Sequence, residues 1–536
     1  MRRRKRTAVL AVLAAVSTVA IGAVAGSANP IDGPGLTDVP TANPKSPGYA
    51  PASKLSPELR QTAVAQGSTK LDGGTQQVSY YGYDNDVVNA AGEPQMLPSP
   101  TVADEAHKTE PDKNTYLVFP AGLPGADPGY DYGTHFLFQG HETGSPGYIT
   151  RINLDADAAH RVTLLATTDS TGAPIADMDG STWDPWAQRL LFTTENASAP
   201  IYAATPGYPS TVTDVSGALG RGGYEGIQDD GDGNIWIIED IGGSNKTGTT
   251  AKVPNSFVYR YVPRHPGDFA HGRLEVLQVL AADGHTITQA TQTPVNSPDQ
   301  LALHVYGSSF RARFVTVHDT AVDGNAPFNA NVRAEAVDGT PFKRPENGVF
   351  RPGTGFGEFY FDETGDTNAT SLENASAGGW GSIFRLTLRD PSAEEGRLSI
   401  SYNGDGPHAG FDNIQFLSRN ALAVVEDAGD TLHGQRNALD SGYVLDADAN
   451  YGDPSNQPLR WLAQGRDASA TIDSAFNGFG KNEGDNEITG IHVSDGDPTV
   501  HGVLGARLPD LWHDGWRWFY TQQHGDNSTY EVFAAG

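Results

Sequence analysis

The feature that most constrains the fold of this chain is a short apolar strand that ends in a polar residue and recurs along the sequence. Residues 235–238 (Ile-Trp-Ile-Ile) run into Glu239 and Asp240, and residues 422–425 (Leu-Ala-Val-Val) run into Glu426 and Asp427. Endings of this kind occur at Glu142, Glu195, Glu239, Asp319, Glu363, Glu426 and His524. The repetition predicts a modular architecture built from similar strand units.

The spacing of these strand ends predicts which architecture that is. Glu142 and Glu195 are 53 residues apart, whereas Glu195 and Glu239 are 44 apart, as are Asp319 and Glu363. A four-stranded propeller blade takes about 40–50 residues, and the longer gaps leave room for a blade with a long loop. The 63 glycines and 35 prolines supply the turns that many short strands require. The sequence therefore predicts an all-β fold, a β-propeller of six or seven blades in a single large domain.

The N-terminal segment predicts export. A basic block (Arg-Arg-Arg-Lys-Arg) precedes an apolar run at residues 8–25 and then three small residues. This order is typical of a cleaved secretory signal peptide; an uncleaved anchor is the alternative, because the run approaches the about 20 residues of a spanning helix. We expect removal of residues 1–28 during export by the general secretory or the twin-arginine route, to the extracellular space or the cell envelope. Residues 29–72 are predicted as a flexible or strap-like extension, and residues 73–536 as the propeller domain.

Composition narrows the chemistry and the partners. The chain has no cysteine, which excludes thiolate catalysis and disulfide bonds. Its 65 acidic and 36 basic residues give a formal net charge of −29, and such a chain repels nucleic acid and anionic lipid but attracts cations. We expect a monomer that acts on a small molecule, with no nucleic-acid partner and no stable membrane insertion after signal cleavage.

The polar strand ends also predict a metal site. Blades arranged radially bring equivalent strand ends to one mouth of a central channel, and a further carboxylate precedes several of these strands, at Glu225, Glu346, Asp412 and Glu487. Carboxylate and amide oxygens suit calcium, which takes 6–8 oxygen ligands, and oxidised iron accepts a similar shell. For any single strand end, turn formation by Asp, Asn or Glu is the simpler explanation. The prediction therefore depends on the repetition.

Seven short segments, in this order along the chain, carry a resemblance to a known family: Gly140-His141-Glu142, Pro185-Trp186 with Thr193-Thr194-Glu195-Asn196, Arg221 to Glu225, Glu239-Asp240, Arg344-Pro345-Glu346-Asn347, Asn486-Glu487-Ile488-Thr489-Gly490 and Gln523-His524-Gly525. Together they resemble the PhoX-type alkaline phosphatases, which are exported propeller phosphomonoesterases. The resemblance extends over about residues 136–524 and implies a propeller fold, phosphomonoesterase activity and a mixed iron and calcium cluster with a cysteine ligand.

The chain departs from that family at three positions. Thr193 stands where the family has its cysteine, Thr194 where it has a glutamate, and Tyr224 where it has a histidine. A neutral hydroxyl supplies neither the soft sulfur nor the negative charge of a bridging thiolate. The chain therefore looks like a divergent member, for which we expect calcium, whereas the absence of the cysteine argues against the iron pair.

The resemblance and the strand ends together assign roles to individual residues. Seven carboxylates are the predicted metal ligands: Glu195, Glu225, Glu239, Asp240, Glu346, Asp412 and Glu487. Arg344 is predicted to grip phosphate, because a guanidinium binds it bidentately, with a surface salt bridge as the alternative. His524, and after it His141, is predicted to protonate the leaving group or to bind metal.

The sequence thus predicts an exported, metal-dependent phosphomonoesterase that releases phosphate from organic phosphoesters. Bound metal ions would clamp the phosphoryl oxygens and activate a water, which a chain of this negative charge requires. Two alternatives stay open. One is a calcium-dependent propeller lactonase or esterase with a single calcium, and the other is a non-catalytic propeller that calcium stabilises.

Overall fold

Short β-strands make up most of the regular structure in this computed structural model. It describes residues 35–45, 51–96, 106–144, 146–242, 244–245, 248–293, 295–371, 373, 376–465, 487–523 and 527–536. The predicted signal peptide (residues 1–28) and His524 lie outside the described residues. In chain order the strands are β1 (Lys54–Leu55), β2 (Leu59–Ala65), β3 (Thr115–Val118), β4 (His135–Gln139), β5 (Ile149–Asn153), β6 (Val162–Ala166), β7 (Ser181–Asp184), β8 (Arg189–Phe192), β9 (Tyr202–Ala204), β10 (Val212–Asp214), β11 (Tyr224–Asp229), β12 (Ile235–Glu239), β13 (Ser244–Asn245), β14 (Lys252–Val253), β15 (Val258–Pro263), β16 (Gly272–Leu280), β17 (Phe310–Asp319), β18 (Pro345–Phe350), β19 (Glu358–Glu363), β20 (Ser382–Leu388), β21 (Glu395–Asn403), β22 (Phe411–Phe416), β23 (Ala421–Glu426), β24 (Ser441–Asp446), β25 (Leu459–Ala463), β26 (Glu487–Ser494), β27 (Arg517–Gln523) and β28 (Ser528–Ala534).

The described helices are short and lie in the connections between strands. They are α1 (Ser216–Leu219), α2 (Pro298–Leu303), α3 (Thr320–Asp323), α4 (Ala330–Ala336), α5 (Gly429–Arg436) and two 3-10 turns, Val500–Gly502 and Leu504–Ala506. Asp319, one of the strand ends in the predicted series, caps α3 by accepting a hydrogen bond from the amide of Ala321. Turn and cap formation therefore explains this residue. Within the described residues, no helix is both long enough and apolar enough to cross a bilayer.

The sheets are antiparallel, and most of them run up and down in chain order. Strands β3–β6 form one four-stranded sheet and β7–β10 another, β22–β25 form a third to which β1 adds a fifth strand, and β26–β28 form a fourth together with β2. A nine-stranded sheet has the order β11-β12-β15-β16-β17-β21-β20-β19-β18, so that two groups of four meet at β17. Strands β13 and β14 form a separate hairpin.

The segment predicted as an extension, residues 29–72, contributes two strands to these sheets. β1 pairs with β25, and β2 pairs with β28 in a register that places Leu59 opposite Ala534. Both strands lie at the edge of their sheet. Residues 54–65 are therefore part of the sheets, although they precede the boundary expected at residue 73.

Apolar clusters fill the spaces between successive sheets. Strand β12 (Ile-Trp-Ile-Ile-Glu) is buried along its whole length, which is the pattern of a strand covered on both faces. Trp461 of β25 and Trp518 of β27 pack with ring centroids 4.5 Å apart, and Tyr116 of β3 lies 5.3 Å from Phe519 of β27. The last contact joins the first sheet to the last, so the sheets close around a common axis in a propeller-like arrangement.

The innermost strands line that axis. They are β3, β7, β11, β18, β22 and β26, and each lies next to the following one, with β26 next to β3. Apart from the N-terminal strands β1 and β2, which join two of the sheets at the opposite edge, each is the first strand of its group in the chain. Residues at the start of these strands therefore face a shared central channel.

Candidate metal centre

Each inner strand places one carboxylate at the same mouth of the channel. These acidic residues lie within three residues of the start of the strand: Asp112, Asp179, Glu225, Glu346, Asp412 and Glu487. Antiparallel pairing sets the end of each second strand beside the start of the first, which adds Glu142, Glu195 and Asp240. We call these nine residues the carboxylate ring.

Eight residues of the carboxylate ring fall into three overlapping groups whose carboxylate oxygens lie within 4.8 Å of one another. The first group is Glu195, Glu225, Asp240 and Glu346, the second is Glu142, Asp179 and Glu195, and the third is Asp112, Glu142 and Glu487. Glu195 belongs to the first and second groups and Glu142 to the second and third. The three groups therefore form one continuous set of oxygen donors across the mouth.

Amide side chains hold several of these carboxylates in place. Asn347 donates from Nδ2 to Oε1 of Glu225 over 2.9 Å. Gln523 donates from Nε2 to Oδ2 of Asp112 over 2.9 Å and to Oε2 of Glu142 over 2.8 Å. Such partners orient ligand groups before any ion binds.

Burial and mutual repulsion raise the pKa of several ring carboxyls. Burial, and then the charges of Asp179 and Glu346, raises the pKa of Glu225 well above its ordinary value. Burial, and then Asp240, raises the pKa of Glu346 to about 8, and burial raises that of Asp112 to about 6. Closely spaced buried anions are stable only when they are protonated or matched by cations. The ring therefore favours either protons or bound cations.

Arg344 supplies one positive charge to the carboxylate ring. Its Nε lies 2.9 Å from Oδ2 of Asp240, and its Nη2 lies 3.2 Å from Oε1 of Glu346. The side chain is 16 % exposed, so it lies within the mouth and is not a surface salt bridge. Its backbone has a φ of +51°, a left-handed conformation that costs a side-chain-bearing residue about 1–2 kcal/mol.

Lys113 supplies a second positive charge deeper in the channel. Its Nζ donates to Oδ1 of Asn413 over 2.8 Å and to the carbonyl of Ile491 over 3.1 Å. The side chain is buried, and burial lowers its pKa while the facing carboxylates of Asp112 and Asp412 raise it. Even with Lys252, which lies near Asp240 and Glu346, the basic groups are far fewer than the nine carboxylates of the ring.

The structure brings together six of the seven predicted metal ligands. Glu195, Glu225, Asp240 and Glu346 share the first group, and Glu487 lies in the third. Asp412 is buried beside them, and its pKa is raised by burial and then by the charges of Asp112 and Glu346.

Glu239 is the predicted ligand that lies outside the carboxylate ring; like Asp412, it belongs to none of the three groups. Its Oε2 accepts hydrogen bonds from the amide of Phe257 (2.9 Å), the hydroxyl of Tyr259 (3.2 Å) and Nδ2 of Asn331 (3.0 Å). Successive residues of a strand point to opposite sides, so Glu239 faces its own sheet whereas Asp240 faces the channel.

We expect the substitution Glu239→Gln to lower stability without changing metal content. The three donors would lose a carboxyl oxygen as their shared acceptor, which lowers the free energy of unfolding by about 1 kcal/mol. Denaturant unfolding measures that loss, and elemental analysis of the same sample measures the bound metal. A fall in metal content with the fold intact would show that Glu239 is a ligand.

Thr193, Tyr224 and His141, three residues singled out in the sequence, point away from the ring. Thr193 is buried and donates its hydroxyl to the carbonyl of Glu225. The hydroxyl of Tyr224 donates to the carbonyl of Leu219 over 3.1 Å. His141 is buried between Thr109 and Thr150 and stacks on Tyr148 at 4.0 Å. Burial lowers the pKa of His141 well below its ordinary value, so its ring has a packing role.

Sequence reasoning did not assign Asp112, Asp179 or Glu142 as ligands. Asp112 stands in a charged stretch (Lys-Thr-Glu-Pro-Asp-Lys) and Asp179 in a turn-like one (Asp-Met-Asp-Gly), so both resemble exposed loops. The signal that could have identified them is the position of each carboxylate relative to the start of an inner strand. A carboxylate near the start of every inner strand is a regular pattern once those strands are known.

The donor set of the described ring fits calcium. It consists of carboxylate oxygens with nearby amide groups, and calcium takes 6–8 oxygen ligands in flexible geometry. Oδ1 of Asp179 is buried without a hydrogen-bond partner, which is costly unless an ion or water binds it. The groups hold no thiolate or imidazole, so the ring offers only hard donors.

Comparisons with known proteins support the fold. No known protein family and no curated protein matches the chain by sequence. The structure is similar to PhoX of Pseudomonas fluorescens in complex with vanadate, a transition-state analogue, with a TM-score of 0.55 and 11 % identity over 93 % of this chain and 98 % of that chain. A gluconolactonase of Xanthomonas campestris aligns over 93 % of this chain and 99 % of that chain with 12 % identity, and its TM-score is 0.37. The first similarity establishes a β-propeller relationship and concerns the fold alone.

Proposed function

We propose that this protein is a metal-dependent phosphomonoesterase and a divergent member of the PhoX-type alkaline phosphatases. The observation that carries the proposal is the carboxylate ring, in which three overlapping groups of oxygen donors surround one mouth together with the guanidinium of Arg344.

The overlap of the groups favours phosphoester hydrolysis over lactone hydrolysis. A propeller lactonase of the kind considered above needs one calcium. Here Glu142 and Glu195 each belong to two groups, which suits bridging carboxylates between neighbouring cations. Several cations together can clamp the oxygens of a phosphoryl group, which carries two negative charges.

The residues of the chain would divide the work of this reaction. Bound divalent cations would neutralise the phosphoryl group and supply an activated water. Arg344 is fixed by Asp240 at Nε and by Glu346 at Nη2, so its remaining N–H groups would orient a phosphoryl oxygen. Asn347 and Gln523 would keep the ring carboxylates in position, and Lys113 would offset negative charge below them. His524 is proposed to protonate the leaving group.

We further propose that the cations are calcium and that no iron pair forms. The donors are carboxylates and amides, and Thr193 directs its hydroxyl to a main-chain carbonyl. The proposal includes export through the signal peptide at residues 1–28 and a propeller of six blades, within the six or seven expected. Six inner strands in a ring and an apolar cluster between each pair of successive sheets support that number.

The test is to measure bound metals by elemental analysis together with hydrolysis of p-nitrophenyl phosphate, with and without a chelator. We expect calcium at a fixed stoichiometry above one per chain and turnover that the chelator abolishes. Bound calcium with hydrolysis of a lactone alone would replace the phosphatase by a lactonase. Bound calcium with no hydrolysis of either substrate would leave a non-catalytic propeller.

We expect Arg344→Gln to lower kcat/KM for p-nitrophenyl phosphate by about 100-fold, the usual effect of removing one charge-stabilising donor. Metal content should stay unchanged, because Arg344 contributes no ligand atom. Steady-state kinetics on metal-loaded protein measures the effect, and Arg389→Gln, at a side chain 85 % exposed, is the matched control. Equal activity of the two variants would remove Arg344 from the proposed site.

A further inference from the structure

A cavity of about 80 Å³ lies in the central channel below the carboxylate ring. Its wall includes Lys113, Gln228 of β11, Gln415 of β22 and His492 of β26, and none of the nine ring residues lines it. Thr499, which is exposed, also lines it, so the cavity lies beside the surface at the opposite mouth of the channel. We call it the lower cavity.

Irregular strand pairing directs two glutamines into the lower cavity. Strands β11 and β22 each carry one extra residue opposite their partner strand, at the positions of the ring carboxylates Glu225 and Asp412. Because of this extra residue, side chains three positions apart lie on the same side of the strand. Gln228 comes three positions after Glu225, and Gln415 three positions after Asp412. Each of these two strands therefore presents a carboxylate at the mouth and an amide below it.

The side-chain amide of Gln415 has no partner in the described part of the chain. The residue is 5 % exposed and lines the lower cavity, and no described group donates to its amide or accepts from it. A buried polar group that is left unpaired costs free energy, and each such group calls for an explanation such as bound water or a ligand. Gln415 therefore indicates that the cavity holds a polar molecule.

Gln228 presents a second amide to the same space. Its hydrogen bonding within the described residues is limited to a 3.5 Å contact from Nε2 to the carbonyl of Asp229. An amide side chain has two donors and a carbonyl oxygen that accepts. The two glutamines, from different sheets, thus offer donors and acceptors to one bound molecule.

The wall of the lower cavity carries no excess charge. Burial, and then the charge of Lys113, lowers the pKa of His492 to about 3, so its ring is neutral. Lys113 is the basic residue of the wall, and Asp229 and Asp497 are the acidic ones. Burial raises the pKa of Asp229 well above its ordinary value, and Oδ1 of Asp497 accepts hydrogen bonds from the amide and hydroxyl of Thr499. A neutral ligand therefore suits the cavity better than an ion.

Size and the apolar part of the wall narrow the ligand further. A cavity of about 150 Å³ holds benzene, which has six non-hydrogen atoms, so the lower cavity has room for about three or four. Leu117, Val503 and Leu504 supply apolar surface, against which C–H groups can pack. A vicinal diol unit has four non-hydrogen atoms, C–H groups and two hydroxyls that each donate and accept.

We propose that the lower cavity binds the vicinal diol of a polyol or sugar, held by the amides of Gln228 and Gln415. The rest of a larger ligand would extend past Thr499 to solvent. This site is separate from the carboxylate ring, because Lys113, held by Asn413 and the carbonyl of Ile491, lies between them. The inference goes beyond the proposed function and does not depend on it.

The test measures binding of glycerol and of methyl α-D-glucopyranoside to the calcium-loaded full chain by saturation-transfer NMR. We expect saturable binding of at least one probe to the wild type; glycerol alone would identify an acyclic polyol, and the glucoside a sugar. 1-Propanol, which lacks one hydroxyl, should bind about 10-fold more weakly. Gln415→Leu removes the amide at similar size, and we expect a similar loss. Gln457→Leu, at an exposed glutamine, is the matched control and should bind like the wild type.

Several outcomes would overturn the proposal. Absence of saturable binding of both probes is one, equal affinity for 1-propanol is another, and wild-type affinity in both Gln415→Leu and Gln228→Leu is a third. Should Gln415→Leu fail to fold, Gln228→Leu decides alone. Binding that persists in these variants but falls in Glu225→Gln would place the diol on cations of the carboxylate ring. Because diol binding is measured without turnover, failure of the phosphatase proposal and failure of this one are distinguishable.

Discussion

The substitution Glu225→Gln is expected to lower both metal content and turnover. Glu225 is 4 % exposed and belongs to the first group of the carboxylate ring with Glu195, Asp240 and Glu346. An amide in its place removes a negative charge from the centre of that group. Loss of an orienting partner alone typically costs 10–100-fold in metal affinity or activity, so for a ligand we expect a fall in kcat of about 100-fold or more. Elemental analysis should show a lower metal content in the same protein.

The matched control for this prediction is Glu239→Gln. Both glutamates are buried in the same pair of strands, β11 and β12, and the two substitutions are chemically identical. Only Glu225 belongs to the ring. Equal metal content and equal turnover in the two variants would contradict the assignment of the ring as a metal centre.

Removal of cations is expected to lower the melting temperature by about 10 °C, the effect of losing several ions held well above their dissociation constants. This decrease in melting temperature should be larger at higher pH. Without cations, the folded-state pKa values of Asp112 (about 6) and Glu346 (about 8) exceed those of the unfolded chain. Their contribution to stability is then full below about pH 4 and is lost as the pH rises through 6 and 8.

Calorimetry in chelator and in calcium, at about pH 5 and about pH 9, measures this dependence. In chelator the melting temperature should fall between the lower and the higher pH. In calcium the fall should be smaller, because a cation replaces the protons that the ring otherwise holds. A gap between the two curves that narrows as the pH rises would contradict the prediction.

The sequence predicts the strands and their polar ends well because both follow from local chemistry. The composition of a buried run such as residues 235–238 predicts a strand, and the acidic residue after it marks the end of that strand. The direction of each acid does not follow from local chemistry. Glu239 and Asp240 are adjacent and chemically alike, and only the register of β12 against β11 and β15 sends one to the sheet and the other to the channel.

The failure to predict Asp112 and Asp179 as ring members from the sequence has the same physical explanation. Asp112 and Asp179 precede short inner strands whose apolar runs are interrupted by Thr and Ser, so composition gives little sign that a strand begins there. Their importance comes from neighbours distant in sequence. Gln523, more than 400 residues away, and Thr489 both donate hydrogen bonds to the carboxylate of Asp112. A contact of that span is a property of the closed ring of sheets.

The pairing of β2 with β28 has a consequence for the order of assembly. Leu59 meets Ala534 across 475 residues of chain (534 − 59), and contacts between such distant residues form late because the loop they close is long. The third group of ring carboxylates spans the boundary between the first and last sheets, since Asp112 precedes β3 and Glu487 begins β26. Maturation of the ion-binding mouth is thus coupled to the final closure step. A cation bound by this group would hold the first and last sheets together.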